Sequence, residues 1–106
     1  MDAMMLYVTW PDAQTAEAAA RSLLEQKLIA CANILPGLGS LYWWDGVIER
    51  SEEALMILKT RADLAAAARD AIESLHPYET PCITAFAIDA TSSNPAFLQW
   101  IASTTQ

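Results

Sequence analysis

Residues 28–60 read LIACANILPGLGSLYWWDGVIERSEEALMILKT, and the fold turns on this stretch. Two arms, 28–44 and 47–60, flank Asp45-Gly46, a dipeptide that supplies the positive-φ positions of a type I′ hairpin turn. The downstream arm is rich in Val, Ile, Leu and Met, and Pro36-Gly37-Leu38-Gly39 interrupts the upstream one, as expected of a strand too long to stay straight. At about 3.3 Å per residue, each arm would reach on the order of 45–50 Å. A compact chain of this length has a radius of gyration of only about 13 Å, so the arms outrun their own core. A hairpin end carrying Leu41, Tyr42, Trp43, Trp44, Val47 and Ile48 would be an aggregation-prone edge on an isolated monomer. The chain therefore reads as an obligate oligomer, with Tyr42, Trp43 and Trp44 between copies.

The 106 residues suit one domain over 1–106, and 54% hydrophobic content suffices for one modest core. Much of that content is alanine, so contacts between copies are expected to supply missing burial. Net charge is −7, and the six bases, Arg21, Lys27, Arg50, Lys59, Arg61 and Arg69, are scattered rather than gathered on one face, which argues against nucleic-acid binding. Met1-Asp2-Ala3-Met4-Met5 carries no basic segment ahead of an apolar stretch, so no secretory signal is expected. No apolar run approaches the roughly 20 residues that span a bilayer. Cys31 and Cys82 lack C-x-x-C spacing and fall in expected strands; free, buried thiols of a cytoplasmic protein are expected.

Leu6 to Trp10 form an apolar run closed by Pro11-Asp12, a strand and then a helix start. Over 12–27, Ala13, Ala16, Ala20, Leu23 and Leu24 share one helical face and Glu17, Arg21 and Glu25 the other. Asp63 is placed to cap a second helix, with Leu64, Ala67, Ala68, Ala71, Ile72 and Leu75 on one face and His76-Pro77 as its stop. Residues 82–88 are apolar on both faces, as for a strand inside the sheet. Asn94-Pro95 caps a short last helix anchored by Phe97, Leu98, Trp100 and Ile101. The order β-α-β-β-α-β predicts an α+β, ferredoxin-like sandwich with a long central hairpin and an extra C-terminal helix. Its helix-free sheet face is expected against symmetry mates in a closed ring.

Several local signatures coincide: Pro11-Asp12, Ala30-Cys31-Ala32-Asn33-Ile34-Leu35-Pro36-Gly37, Ser40-Leu41-Tyr42-Trp43-Trp44-Asp45-Gly46, Lys59-Thr60-Arg61 and His76-Pro77-Tyr78-Glu79. Together they closely resemble the CutA family of divalent-cation tolerance proteins, from about Met4 to Ala102. The resemblance implies a tight homotrimer with interlocking hairpins, a cytoplasmic location and an association with copper and other divalent metals. In that family a histidine at the position of His76 is associated with copper, and Cys31 matches a strand cysteine. Some relatives add a cysteine and a second histidine where this chain has Val8 and Leu75, neither of which ligates a metal.

His76 sits in a turn that delivers an imidazole, a phenol and a carboxylate within four residues. Lone histidines are often structural, yet a metal site of His76, Glu79 and Cys31, pooled between subunits, is one expectation. Lys59, among Met56, Ile57 and Leu58, needs a partner if buried, for which Glu79 is a candidate, or else its stem packs while its amine reaches water. Trp43 and Trp44 point to opposite faces, so one can pack inward while the other lines a crevice. A crevice walled by Trp44, Lys59, Tyr78 and Glu79 would suit a small anionic ligand. No nucleophile elbow, Cys-His arrangement or phosphate loop is visible, so no enzyme and no obligatory cofactor are expected. Two functions compete: divalent-metal tolerance with bound copper, and a trimeric signalling or adaptor protein of the PII type, the latter by fold analogy.

Overall fold

The computed structural model describes residues 2–106; Met1 lies outside them. The hairpin dominates it, with strands β2 (Cys31–Trp44) and β3 (Val47–Arg61). Asp45 and Gly46 have φ of 50° and 79°, the left-handed pair that a type I′ turn requires. Pairing runs from Trp44 opposite Val47 at the tip to Cys31 opposite Lys59 at the root. Between Leu35–Leu55 and Leu38–Glu53 the register shifts, so Pro36 and Gly37 together face Ala54. Gly37, at φ 72°, takes the left-handed turn of this bulge, and Pro36 has no N–H to lose from the ladder. The molecule is drawn out to 44 × 28 × 21 Å, with a radius of gyration of 14.4 Å.

Strand β1 (Ala3–Trp10) lies antiparallel between β3 and β4 (Ile83–Ala87), giving the order β2-β3-β1-β4. Helices α1 (Ala13–Glu25) and α2 (Ala65–Leu75) connect β1 to β2 and β3 to β4, and α3 (Pro95–Thr104) ends the fold. Asp12 caps α1 by accepting the Thr15 N–H at 2.7 Å, and that bond holds its carboxyl below the usual range. Strand alternation puts Leu6, Val8, Trp10, Met56 and Leu58 on one face. There they pack with Ala16, Ala20, Leu23, Ala68 and Ile72 of α1 and α2. Ala3 has the opposite phase, and with Ala30 and Ile101 of α3 it forms a second, small core. The rest of that second face, including Met5, Tyr7, Ile57 and Lys59, is only half-buried.

Four expectations are corrected. Asp63 does not cap α2: it lies in a 3-10 turn, Ala62–Leu64, and receives Arg61 through two bonds of 2.9 Å. Strand β4 is a sheet edge rather than an interior strand, and its apolar outer residues, Phe86 among them, are exposed. Cys82 precedes β4 and is exposed, and Cys31 is half-buried, so neither thiol is a core residue of the single chain. Neither tip tryptophan packs inward, Trp43 being 72% and Trp44 68% exposed.

Candidate functional site

Helix α2 stops because Pro77 forces its predecessor out of the helical region, and His76 is extended at φ −80°, ψ 135°. The turn brings the imidazole back onto the end of β1. The ring stacks on Trp10 at 4.3 Å, its Nε2 lies 2.8 Å from the Thr9 carbonyl oxygen, and the Tyr78 N–H donates to Nδ1 at 3.2 Å. A carbonyl can only accept and an amide N–H can only donate, so these partners fit the neutral tautomer protonated on Nε2. Both nitrogens are then engaged, and no imidazole lone pair faces solvent. The Tyr78 hydroxyl donates to Glu53 of β3 at 3.1 Å. Burial first, then the bonded and charged Glu53, pushes the Tyr78 phenol up to about 12. Thr9, His76, Tyr78 and Glu53 thus fasten the α2–β4 turn to β1 and to the hairpin. Among the described residues, the Trp10 indole N–H is buried without a hydrogen-bond partner.

Lys59 belongs to a second cluster. It lies in a row across the sheet between Met5 and Cys31. Its Nζ donates to Asn33 Oδ1 at 2.9 Å and sits 6.0 Å from the centre of the Phe97 ring, which in turn stacks on Trp100 at 5.7 Å. The partner of Lys59 is therefore Asn33 and not Glu79. Among the described residues, ion pairs join Arg21 to Glu17, Arg61 to Asp63 and Arg69 to Asp70; Lys59 has none.

One chain does not gather the expected metal set. His76 adjoins Trp10, whereas Cys31 is level with Met5, about 17 Å down β1 at 3.3 Å per residue. Glu79 is exposed. Among the described residues, no group of three or more His, Cys, Asp or Glu side chains is placed to hold a metal ion. Nor does one chain close the expected crevice. Trp44 is opposite Val47 at the tip, Lys59 is about 40 Å further along β3, and Tyr78 meets the strand between them at Glu53. Two open depressions, of about 280 Å³ between α2 and β4 and of about 370 Å³ where β1 begins and β4 ends, are lined by none of these residues. Residues that the sequence did not mark as site residues, Thr9, Trp10, Asn33, Glu53 and Phe97, supply most of the contacts. Asn33 carries the one usable signal, being a polar residue amid an apolar strand.

Among the described residues the molecule is thus an α+β protein with three α-helices on a four-stranded antiparallel sheet, an overlong apolar hairpin, and polar clusters at the hairpin's root and beside its bulge. The family model of the CutA1 divalent ion tolerance protein matches residues 4–104, and the chain belongs to this family. The divalent-cation tolerance protein CutA of Archaeoglobus fulgidus is 44% identical over 101 residues, covering 95% of this chain and 96% of that one. Its counterpart from Pyrococcus horikoshii is 41% identical over 98 residues, or 92% and 93% of the two chains. Among solved structures, CutA1 from Oryza sativa superposes with a TM-score of 0.95 at 34% identity, over 100% of this chain and 95% of its own. The A. fulgidus structure gives 0.92 at 42% identity, over 98% and 99%. That relative is described as a periplasmic divalent cation tolerance protein, which overturns the expectation of a cytoplasmic location. No helix among the described residues is long and apolar enough to cross a membrane.

Proposed function

We propose that this chain is a non-enzymatic homotrimer acting in divalent-cation tolerance, and that copper or another divalent ion is contacted where copies meet. The observation that carries this is the hairpin tip. By alternation, Leu41, Trp43 and Ile48 share one face and Tyr42, Trp44 and Val47 the other, and all six are between 42% and 73% exposed. A twofold dimer covers one face of such a tip. A closed ring gives each hairpin two neighbours, and three copies make the smallest ring. The strand order β2-β3-β1-β4 with both crossover helices on one face supports a ferredoxin-like protomer.

Within one chain His76 offers no free lone pair, so its residues do not fit a metal centre as they stand. An ion would draw on Glu79 of one copy and Cys31 of a neighbouring copy, and ligation by His76 would require the Thr9 or Tyr78 bond to open first. Copper titration of metal-free protein followed by native mass spectrometry, in parallel with His76→Ala, tests the proposal. Whole copper ions on a trimer, retained in the variant, are expected. Loss of uptake in His76→Ala would put the imidazole in the site after all, no uptake would remove the metal, and a monomer would remove the ring.

A second function, a signalling or adaptor protein of the PII type that binds a small anionic ligand between copies, has one specific observation in its favour: Lys59 lacks a carboxylate partner among the described residues.

A further inference from the structure

We infer that Lys59 and Asn33 are the receiving end of a carboxylate-binding site on the open face of the sheet. The inference rests on the ring proposed above and deepens its second function. Lys59 is surrounded by Met5, Cys31, Asn33, Ile57 and Phe97, none of them acidic, in a chain with 13 acidic side chains against 6 basic ones. Its ammonium is nevertheless positioned rather than free. Asn33 Oδ1 accepts from one of its three N–H groups at 2.9 Å and the Phe97 ring lies beneath it at 6.0 Å, which leaves donors for an incoming group. Arg61, next on the same face of β3, is already neutralised by Asp63. The open face is apolar and half-exposed at Met5, Tyr7 and Ile57, so a neighbouring copy that covers it also removes water from Lys59. A cation desolvated with only a neutral amide and a ring for company is costly, and a carboxylate that arrives with the covering surface offsets that cost. The lysine is a point-like, three-donor head suited to one carboxylate, without the bidentate fork of arginine.

That carboxylate has two sources, a small free acid or a side chain of the next copy, and one experiment separates them. Wild type, Lys59→Met and Asn33→Ala are dialysed free of carboxylates, then titrated with succinate and with succinamide, its uncharged isostere. Thermal unfolding and native mass are recorded at each step. Methionine keeps the unbranched apolar stem, and Asn33→Ala keeps the charge while removing its holder, so the two variants do not share one folding defect. A saturable rise in Tm with succinate and not with succinamide, abolished in Lys59→Met and weakened about tenfold in Asn33→Ala, identifies a free small acid. No response to succinate, with a wild-type trimer that dissociates on dilution once Lys59 is methionine, identifies the neighbour's side chain. The inference is overturned if succinate and succinamide act alike on all three proteins and Lys59→Met assembles as wild type does. A monomeric wild type would end the ring, whereas a succinate response of that monomer, lost in Lys59→Met, would still establish the site.

Discussion

The two ends of the hairpin are built from similar residues and meet opposite fates. At the root, Ala54, Met56 and Leu58 of β3 are at most 1% exposed, sealed by α1 and α2, and Trp10 beside them is fully buried. At the tip, Trp43 and Trp44 stand in solvent with Leu41, Val47 and Ile48. Hydrophobicity alone therefore does not locate the core; the reach of the helices does. With α1 of 13 residues and α2 of 11, the helices cover about 20 Å at 1.5 Å per residue, against a strand pair more than twice that length. Whatever lies beyond their reach stays in solvent in the single chain, and it is this surface that the proposed ring would cover.

Two tryptophans test that contrast most strongly. Trp10→Ala should cost about 3–5 kcal/mol of folding stability, the usual penalty for truncating a buried aromatic, and the loss should be the same at every protein concentration. Trp44→Ala should leave the fold of the single chain intact and weaken assembly by a similar amount per subunit. Denaturant unfolding for the first, and sedimentation over a dilution series for the second, would show it. A Trp44→Ala protein that stays assembled at nanomolar concentration would break the contrast. Gly37, where root gives way to tip, sharpens it. A Cβ there meets nothing within 4 Å, so the cost of Gly37→Ala is that of the left-handed backbone alone, about 1–2 kcal/mol. Differential scanning calorimetry should find that cost, with assembly unchanged.

The smallest effect belongs to the fastener at the root. The folded pKa of Tyr78 lies above the ordinary 10.0, so its contribution is fully present below pH 10 and is lost as pH rises through about 12. Stability should fall across that window and fall less in Glu53→Gln, as read by unfolding at pH 9 and at successive steps above it. An identical slope in the two proteins would show that Tyr78 fastens nothing.

The hairpin, its turn, the order of elements, the helix start at Pro11-Asp12 and the cap at Asn94 were legible because each rests on local chemistry: positive φ, helical spacing, a side chain that accepts an N–H. The root clusters were not. Counting back from the Asp45-Gly46 turn pairs Trp44 with Val47 and, without interruption, Lys59 with Ala32, which would leave Asn33 on the other face. The bulge moves the pairing to Cys31–Lys59 and brings Asn33 beside Lys59, a result that depends on how one Pro-Gly is accommodated. His76 was legible as a singular residue, but its role was not. Its partners come from Thr9 and Trp10, some 67 positions upstream, and a carbonyl oxygen leaves no mark in a sequence.

Pro36 and Gly37 also give this strand an arithmetic of odd and even. Side chains in a β-strand occupy two alternating frames, and the bulge is where the chain passes from one to the other. Losing a single residue there would return the strand to plain alternation, with Leu35 and Leu38 still on one side and with Trp43 and Trp44 on the surfaces they now occupy. Losing both Pro36 and Gly37 would set Leu38 directly after Leu35 and on the opposite side, so that the register fixed by the turn and the register fixed at the root would disagree by one residue. The upstream arm thus carries one residue more than the stretch it pairs with, 31–44 against 47–59, and Pro36-Gly37 is where that surplus is stored.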